Sequence, residues 1–189
     1  MIASGGLSCD RNAQPSTRIG YQHIKDRRLT RPVPLSPGDF VGDYVPFYFA
    51  PRSPMLFVIH KGSVPGYSGG QTEVVHLVST IERVEAAGLG WVFTDGHAEM
   101  APLTDFYDDL TDLNKVDWEL MQSRYWFDTD DYPDRMRRRQ AEFLVHGFFP
   151  WELVDSIGVC NEATAARVYE VLETLAHKPQ VAIEQTWYY

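Results

Sequence analysis

Apolar and polar residues alternate along several short segments of the chain, a pattern typical of β-strands with one buried face. Proline is rare inside these segments, and glycine or proline separates most of them. The alternation predicts strands at residues 44–49, 55–60, 73–78, 91–93, 142–145, 157–159 and 181–183. Pro46 lacks a backbone N–H, so the first of these strands is expected at a sheet edge or a bulge.

Helical spacing of apolar residues marks the remaining regular segments. Helices are predicted at residues 19–28 and 161–176, with two shorter amphipathic helices between 102 and 121. Asn161 is expected to be the N-cap of the long C-terminal helix. A further helix should follow Ser79, because Ser79 and Glu82 have capping-box spacing and Gly88 stands where a helix would stop.

No repeat or linker divides the chain, while residues 9–17 and 31–42 have the polar, proline-rich and glycine-rich composition of loops. Several short strands with peripheral helices indicate an α+β fold. We therefore expect residues 1–189 to form one mixed domain, large enough to bury a core without metal or disulfide.

A glutamate opens one of the predicted strands directly after a run of arginines. Phe143 and Val145 should point to one face of this strand, and Glu142 and Leu144 to the other. The carboxylate of Glu142 is then either part of a cleft or paired in a salt bridge with the arginines at 135–139.

Two other residues stand at places that favour contact with a ligand. Arg52 lies between Pro51 and Pro54, which stiffen the backbone, so its guanidinium is either an anion contact or a staple of the loop. His97 follows the turn Asp95-Gly96 at the end of a strand, where it either reaches a cleft or forms a local hydrogen bond.

Aromatic residues stand beside cations near residue 125. Tyr125 and Trp126 follow Arg124 and precede the arginines at 135–139. This combination is typical of single-stranded nucleic acid binding, in which bases stack while arginines bind phosphates, and equally of a packed corner of the core.

The net charge of −9 argues against a protein that coats nucleic acid nonspecifically, although it allows a local basic groove. The two cysteines, Cys9 and Cys160, lack the spacing of a disulfide framework or a zinc site, which indicates a reducing cytoplasm. No membrane span, export signal or bound metal is expected.

Five motifs together resemble the DarT family of DNA ADP-ribosyltransferase toxins, which form toxin–antitoxin systems with DarG. They are DYVPFYF at 43–49, PRSPM at 51–55, FTDGHA at 93–98, YW at 125–126 and RRQAEFLV at 138–145. The resemblance implies a split-sheet ADP-ribosyltransferase fold. It also implies transfer of ADP-ribose from NAD to a base, thymine in the branch most resembled, in single-stranded DNA. The implied partner is a macrodomain antitoxin.

The resemblance also assigns roles to residues of this chain. Glu142 and Arg52 match the catalytic glutamate and essential arginine of the family. Binding of NAD is expected from Asn12, Tyr48, Met55 and His97, and binding of DNA from Tyr125, Trp126, Arg135, Arg138 and Arg139.

The family pattern begins with a Tyr-His-x-Thr-like segment that binds NAD, and this sequence starts just before Gly6, after that segment. Weak NAD affinity is therefore expected for the 189-residue chain, with a monomeric, cytoplasmic enzyme as the main hypothesis. The rival hypotheses are a noncatalytic module that binds single-stranded DNA or the antitoxin, and an enzyme that modifies protein.

Overall fold

The computed structural model describes residues 5–15, 17 and 19–189. The predicted loop at 9–17 includes residue 16, which lies outside the described residues. The strands are β1 (Gly6–Ser8), β2 (Tyr44–Tyr48), β3 (His76–Val78), β4 (Trp91–Thr94), β5 (Phe106–Tyr107), β6 (Glu142–His146), β7 (Phe148–Pro150), β8 (Ser156–Val159) and β9 (Gln180–Ile183). The helices are α1 (Gln22–Arg28), α2 (Pro54–His60), α3 (Ile81–Ala86), α4 (Trp118–Gln122), α5 (Arg135–Arg138) and α6 (Glu162–Leu172).

The strands form three sheets, and the mixed α+β fold with a split sheet is confirmed. One sheet has the order β2-β6-β4-β5 and is antiparallel throughout. A second has the order β3-β8-β9, in which β8 and β9 run parallel, and β1 pairs with β7 separately. Strand β2 lies at an edge, as Pro46 predicts, because proline cannot donate to a second neighbour.

The central strand β6 separates two apolar clusters, and the predicted alternation of its faces is confirmed. Phe143 and Val145 pack into the large core, which also contains residues of β8 and α6. Leu144 packs into a smaller cluster on the other face. Glu142 shares that second face, so its carboxylate lies away from the large core.

The strand predicted at residues 55–60 is wrong, because this segment is helix α2. Ser53 caps the helix by accepting a hydrogen bond from the N–H of Leu56 at 3.1 Å, and Pro54 occupies its first turn. Leu56 and Ile59 are buried at helical spacing. Ser-Pro followed by an apolar run is a helix start, and it outweighs the strand-like composition.

The predicted helix after Ser79 exists, but Thr80 is its N-cap and accepts from the N–H of Arg83. The hydroxyl of Ser79 instead donates to the carbonyl of Leu153 at 2.7 Å. The stop at Gly88 is confirmed by its φ of +66°, which favours glycine.

Other boundaries differ from the prediction. Asn161 caps α6 as predicted, accepting from the N–H of Thr164 at 2.9 Å. The segment predicted as two helices begins instead with strand β5, followed by a 3₁₀ turn at Leu110–Lys115 and then α4. Within the described ranges, none of the helices is long and apolar enough to cross a membrane.

The stability of this fold should fall in mild acid because of His76. Its ring lies against Trp187 and Tyr188, and burial lowers the pKa of His76 to about 4. In the unfolded chain His76 has its ordinary pKa of about 6.5. The contribution of neutral His76 to the free energy of unfolding is therefore complete above pH 6.5 and is lost as the pH falls towards 4. We expect the free energy of unfolding to fall by about 2 kcal/mol at pH 5 because of this residue.

Urea unfolding at pH 7.5 and pH 5 should show a smaller difference in the free energy of unfolding for His76→Gln than for the wild type. An equal difference in both would contradict the assignment.

Candidate active site

Glu142 occupies the first position of β6 and is only 1% exposed. It lies opposite Tyr48 of β2 in the antiparallel register. On the β4 side, the hydroxyl of Thr94 accepts a hydrogen bond from the N–H of Glu142 at 3.1 Å and donates to the carbonyl of Gly96 at 2.7 Å. Strands on both sides therefore fix the backbone from which the carboxylate projects.

Arg28, the last residue of α1, is the ion-pair partner of Glu142. Its Nη1 donates to Oε1 at 3.0 Å and to Oε2 at 2.8 Å. The N–H of Ala98 also donates to Oε1, at 3.0 Å. The salt bridge expected between Glu142 and the arginines at 135–139 is therefore wrong, since the partner comes from a helix 114 residues earlier.

The two charges depend on each other because both are buried. Burial lowers the pKa of Arg28, but the charge and hydrogen bonds of Glu142, together with the nearby Tyr48 and Asp10, outweigh burial and raise the pKa overall. The guanidinium is thus always protonated, and a buried carboxylate beside it has a permanent counter-ion. Nε and Nη2 of Arg28 are buried without a hydrogen-bond partner in the described part of the chain.

These contacts leave one acceptor position on the carboxylate. A carboxylate oxygen accepts about two hydrogen bonds. From the described residues, Oε1 receives two, from Arg28 and Ala98, whereas Oε2 receives one, from Arg28. The remaining lone pair of Oε2 can accept a hydroxyl group of a ligand.

Tyr48 completes the same face of the sheet. Burial raises the pKa of Tyr48 strongly, and the nearby charge of Glu142 raises it further. The phenol is therefore neutral over the physiological range and can act as a hydrogen-bond donor.

His97 has a defined tautomer beside this site. Its Nδ1 accepts a hydrogen bond from the N–H of Glu99 at 3.2 Å, so the proton of the neutral ring is on Nε2. Burial lowers the pKa of His97, and the opposing charge of Glu142 is a smaller effect. The ring is consequently a neutral hydrogen-bond donor. Both alternatives that the sequence left open for His97 are found, because the ring forms a local hydrogen bond and also lines a cavity.

That cavity has a volume of about 400 Å³. Its lining comes from α1, the loop after β4 and the residues just before β6: Ile24, Arg27, His97, Glu99, Met100, Ala101, Leu103 and Gln140. An ion pair between Arg27 and Glu99 joins α1 to that loop. Two elements that hold Glu142, namely α1 through Arg28 and the loop through Ala98, thus also form the walls of the cavity.

Arg52 occupies a different environment from the one shared by Arg28 and Glu142. Its guanidinium carbon lies 4.6 Å from the centroid of the Tyr189 ring, and its Nε is buried without a hydrogen-bond partner among the described residues. The carbonyl of Arg52 accepts from Nε of Arg139 at 3.1 Å. The catalytic role given to Arg52 by resemblance remains a prediction, whereas Arg28 is the arginine in contact with the carboxylate.

Two of the residues predicted to bind DNA are buried in this structure, and their roles in DNA binding remain predictions. Trp126 is 1% exposed and donates its indole N–H to the hydroxyl of Tyr189 at 2.7 Å. Arg139 is 3% exposed and donates to four backbone carbonyls, those of Arg52, Leu120, Met121 and Ser123. Both residues hold the loop in place instead of facing solvent.

The other predicted DNA contacts are accessible. Tyr125 is 72% exposed. Arg135 lies over the ring of Tyr132, with 5.9 Å between the guanidinium carbon and the ring centroid. Arg138 pairs with Asp117 and Asp134, which partly neutralise it.

Phe127 is an exposed aromatic residue that sequence reasoning missed. It is 44% exposed and stacks on Trp126 with ring centroids 4.2 Å apart. The three consecutive aromatics at 125–127 give no periodic signal for which ring faces inward, so the order of burial could not be read from the sequence.

The two remaining residues predicted to bind NAD are exposed. Asn12 is exposed on the turn after β1, and Met55 is 38% exposed in the first turn of α2. Their roles remain predictions. Among the described residues, no group of three or more potential metal ligands occurs.

Comparison with known proteins agrees with this arrangement. The family model described as "ssDNA thymidine ADP-ribosyltransferase, DarT" matches residues 1–189. A DNA ADP-ribosyl transferase of Thermus sp. (strain 2.9) is 41% identical over 192 residues, covering 100% of this chain and 90% of the relative. A DNA ADP-ribosyl transferase of Mycobacterium tuberculosis is 37% identical over 193 residues, covering 100% of this chain and 83% of the relative.

Solved structures show the same fold. Thermus sp. 2.9 DarT in complex with ADP-ribosylated single-stranded DNA superposes with a TM-score of 0.94 at 40% identity, covering 100% of this chain and 89% of that chain. The same Thermus protein in complex with NAD⁺ gives a TM-score of 0.89 at 38% identity, covering 100% and 90%.

Proposed function

This chain belongs to the DarT family of single-stranded DNA thymidine ADP-ribosyltransferases, and we propose that it transfers ADP-ribose from NAD to thymine in single-stranded DNA. It acts in this role as the toxin of a toxin–antitoxin system. NAD is the co-substrate, and no metal takes part in the proposal.

The buried pair of Glu142 and Arg28 is the observation that carries the proposal. The carboxylate is 1% exposed and is bound by a guanidinium and by the N–H of Ala98. Because desolvation of a buried ion pair offsets its contribution to folding stability, a role in function explains the pair better than a role in stability. It stands at a strand end, and two elements that hold it, α1 and the loop after β4, also line the cavity of about 400 Å³.

The reaction explains why a carboxylate is needed there. When the bond between ribose C1′ and nicotinamide breaks, nicotinamide leaves with the electron pair and the ribose acquires oxocarbenium-like charge. In NAD the positive charge lies on the nicotinamide ring and moves to the ribose as the bond breaks, so a carboxylate fixed beside the ribose stabilises the transition state more strongly than the ground state. Oε2 of Glu142, with its remaining lone pair, accepts a hydroxyl of the same ribose.

The base then attacks from the opposite side of the reacting carbon. N3 is the only ring N–H of a thymine nucleotide, so the new bond forms at N3, and the N3 proton passes to water as the bond forms. The N–H at Nε2 of His97 is a suitable donor to a carbonyl oxygen of a bound base or carboxamide. Arg28 keeps the carboxylate of Glu142 oriented through hydrogen bonds to both of its oxygens.

The surface at residues 125–135 supplies the DNA contact. Tyr125 and Phe127 are exposed rings on which bases can stack, and Arg135 is a nearby cation. The same segment carries Asp128, Asp130, Asp131 and Asp134 beside Arg135, so its proposed contribution to DNA binding is base stacking and not a net positive charge. The modified strand is the substrate that a macrodomain antitoxin would restore, which is the partner proposed here.

A substrate panel tests this function. The chain is incubated with NAD and with single-stranded oligonucleotides that contain or lack thymine, with the corresponding duplex, and with a protein mixture. We expect a mass increase of one ADP-ribose on thymine-containing single strands only. Modification of protein without DNA, or of no substrate at all, would contradict the proposal.

Removal of the Phe127 ring should weaken DNA binding. Stacking of a base on an aromatic ring contributes about 1–3 kcal/mol, so we expect Phe127→Ala to raise KM for the oligonucleotide about 10-fold, with kcat nearly unchanged. Tyr169→Ala is the matched control, since Tyr169 is also an exposed aromatic (53%) but lies on α6. Equal KM values for wild type and Phe127→Ala in steady-state assays would show that Phe127 does not contribute to DNA binding.

A further inference from the structure

Asp10 adds a third charged residue to the Arg28–Glu142 pair. Its Oδ2 lies 3.6 Å from Nε of Arg28, which is within ion-pair distance but too long for a hydrogen bond, and its Oδ1 accepts from Nζ of Lys25 at 2.8 Å. The charges therefore alternate in sign from Lys25 through Asp10 and Arg28 to Glu142. Asp10 has no part in the function proposed above.

The turn that carries Asp10 is anchored on both sides. The N–H of Cys9 donates to the carbonyl of Gly147 at 3.0 Å, and the N–H of Arg11 donates to the carbonyl of Gly42 at 3.0 Å. The guanidinium of Arg11 also pairs with Asp43. Asp10 thus projects from a backbone that is fixed to the start of β2 and the end of β6.

Helix α1 has no comparable internal rigidity. It has seven residues, and its N-cap position, Tyr21, makes no side-chain capping hydrogen bond. A helix of this length depends on tertiary contacts for its position. Lys25 and Arg28 are three residues apart on the same helix face, and both point to Asp10.

The degree of burial distinguishes this contact from an ordinary surface ion pair. The side chain of Arg28 is 7% exposed and that of Asp10 is 19% exposed. Solvent therefore screens the interaction only partly. Nη1 of Arg28 binds Glu142, so Nε is the group through which a second anion can set the rotation of the guanidinium.

We propose that Asp10 is a positioning residue of the active site: from its anchored turn it fixes Arg28, and through Arg28 it fixes the carboxylate of Glu142. This inference rests on the proposed function. Asp10 does not touch Glu142, and it acts on the reacting atoms only through Arg28.

The variant Asp10→Asn tests the proposal, because it keeps the shape of the side chain and removes its charge. We expect kcat for ADP-ribose transfer to fall about 10-fold to 100-fold, with less than about a 2-fold change in KM for NAD. Asp10→Glu, which retains the carboxylate, should restore kcat to within about 3-fold of wild type. The control is Asp26→Asn, an exposed aspartate on α1 that bonds to Gln22.

A second measurement does not depend on catalysis. The ¹H–¹⁵N resonance of Arg28 Nε, assigned by its loss in Arg28→Lys, should shift in Asp10→Asn and not in Asp26→Asn. A kcat within about 2-fold of wild type for Asp10→Asn, or an unshifted resonance, would overturn the proposal. If the wild-type chain modifies no DNA, the proposed function fails, and the Nε resonance alone then decides whether Asp10 positions Arg28.

Discussion

Glu142→Gln is expected to reduce the rate of ADP-ribose transfer about 10³-fold, because it removes the fixed negative charge that faces the ribose in the transition state. The amide also presents a donor to Nη1 of Arg28, so the side chain loses its orientation as well as its charge. Single-turnover assays with saturating NAD and a thymine oligonucleotide measure the chemical step directly.

Glu85→Gln, at an exposed position of α3, is the control for loss of a glutamate charge. It should retain full activity. Circular dichroism spectra should show that Glu142→Gln keeps its secondary structure. A transfer rate within about 10-fold of wild type for Glu142→Gln would show that another group provides the negative charge.

Arg28→Met should destabilise the protein by about 3–5 kcal/mol, because it leaves the carboxylate of Glu142 buried without a counter-ion. We expect transfer activity to be lost in the same variant, since Glu142 is then neutral or displaced. Urea unfolding at pH 7.5 gives the change in the free energy of unfolding.

The double variant Arg28→Met with Glu142→Gln separates stability from catalysis. It should recover part of the lost stability, because no unpaired charge remains buried, but none of the activity. Arg83→Met is the control, as Arg83 pairs with Asp155 at the surface and should change stability by less than about 1 kcal/mol. A destabilisation of Arg28→Met as small as that of Arg83→Met would contradict the importance of the pair.

Local pattern was enough to predict much of the fold. Alternation placed Glu142 and Leu144 on one face of β6, and Asn161 and Gly88 marked helix ends correctly. The pattern failed at residues 55–60, where Val, Ile and Phe suggest a strand. Ser53 and Pro54 start a helix there. Helix capping and the packing of the helix outweigh the strand propensity of these residues.

The acid of the site could be predicted, but its partners could not. Arg28 is 114 residues from Glu142 in sequence, and the N–H of Ala98 carries no side-chain signal at all. An arginine at the end of a short helix usually faces solvent, so only the packing of α1 against β6 reveals its role. Resemblance drew attention to Arg52 instead, which stacks on Tyr189.

The burial of Trp126 and exposure of Phe127 illustrate the same limit. Both rings are large and apolar, and they are adjacent in a loop without a regular period. Phe57 contacts both rings, whereas the hydroxyl of Tyr189 accepts the indole N–H of Trp126, and both partners come from elsewhere in the chain. Neighbouring residues therefore suffice to predict that an aromatic platform exists, but not which of its faces is free.

A crystal structure of this chain with a nonhydrolysable NAD analogue tests the central claim most directly. We predict that a hydroxyl of the nicotinamide ribose lies about 2.7 Å from Oε2 of Glu142, while Oε1 keeps its hydrogen bonds to Arg28 and Ala98. An analogue bound with this ribose out of reach of Glu142 would contradict the assignment of Glu142 as the catalytic carboxylate.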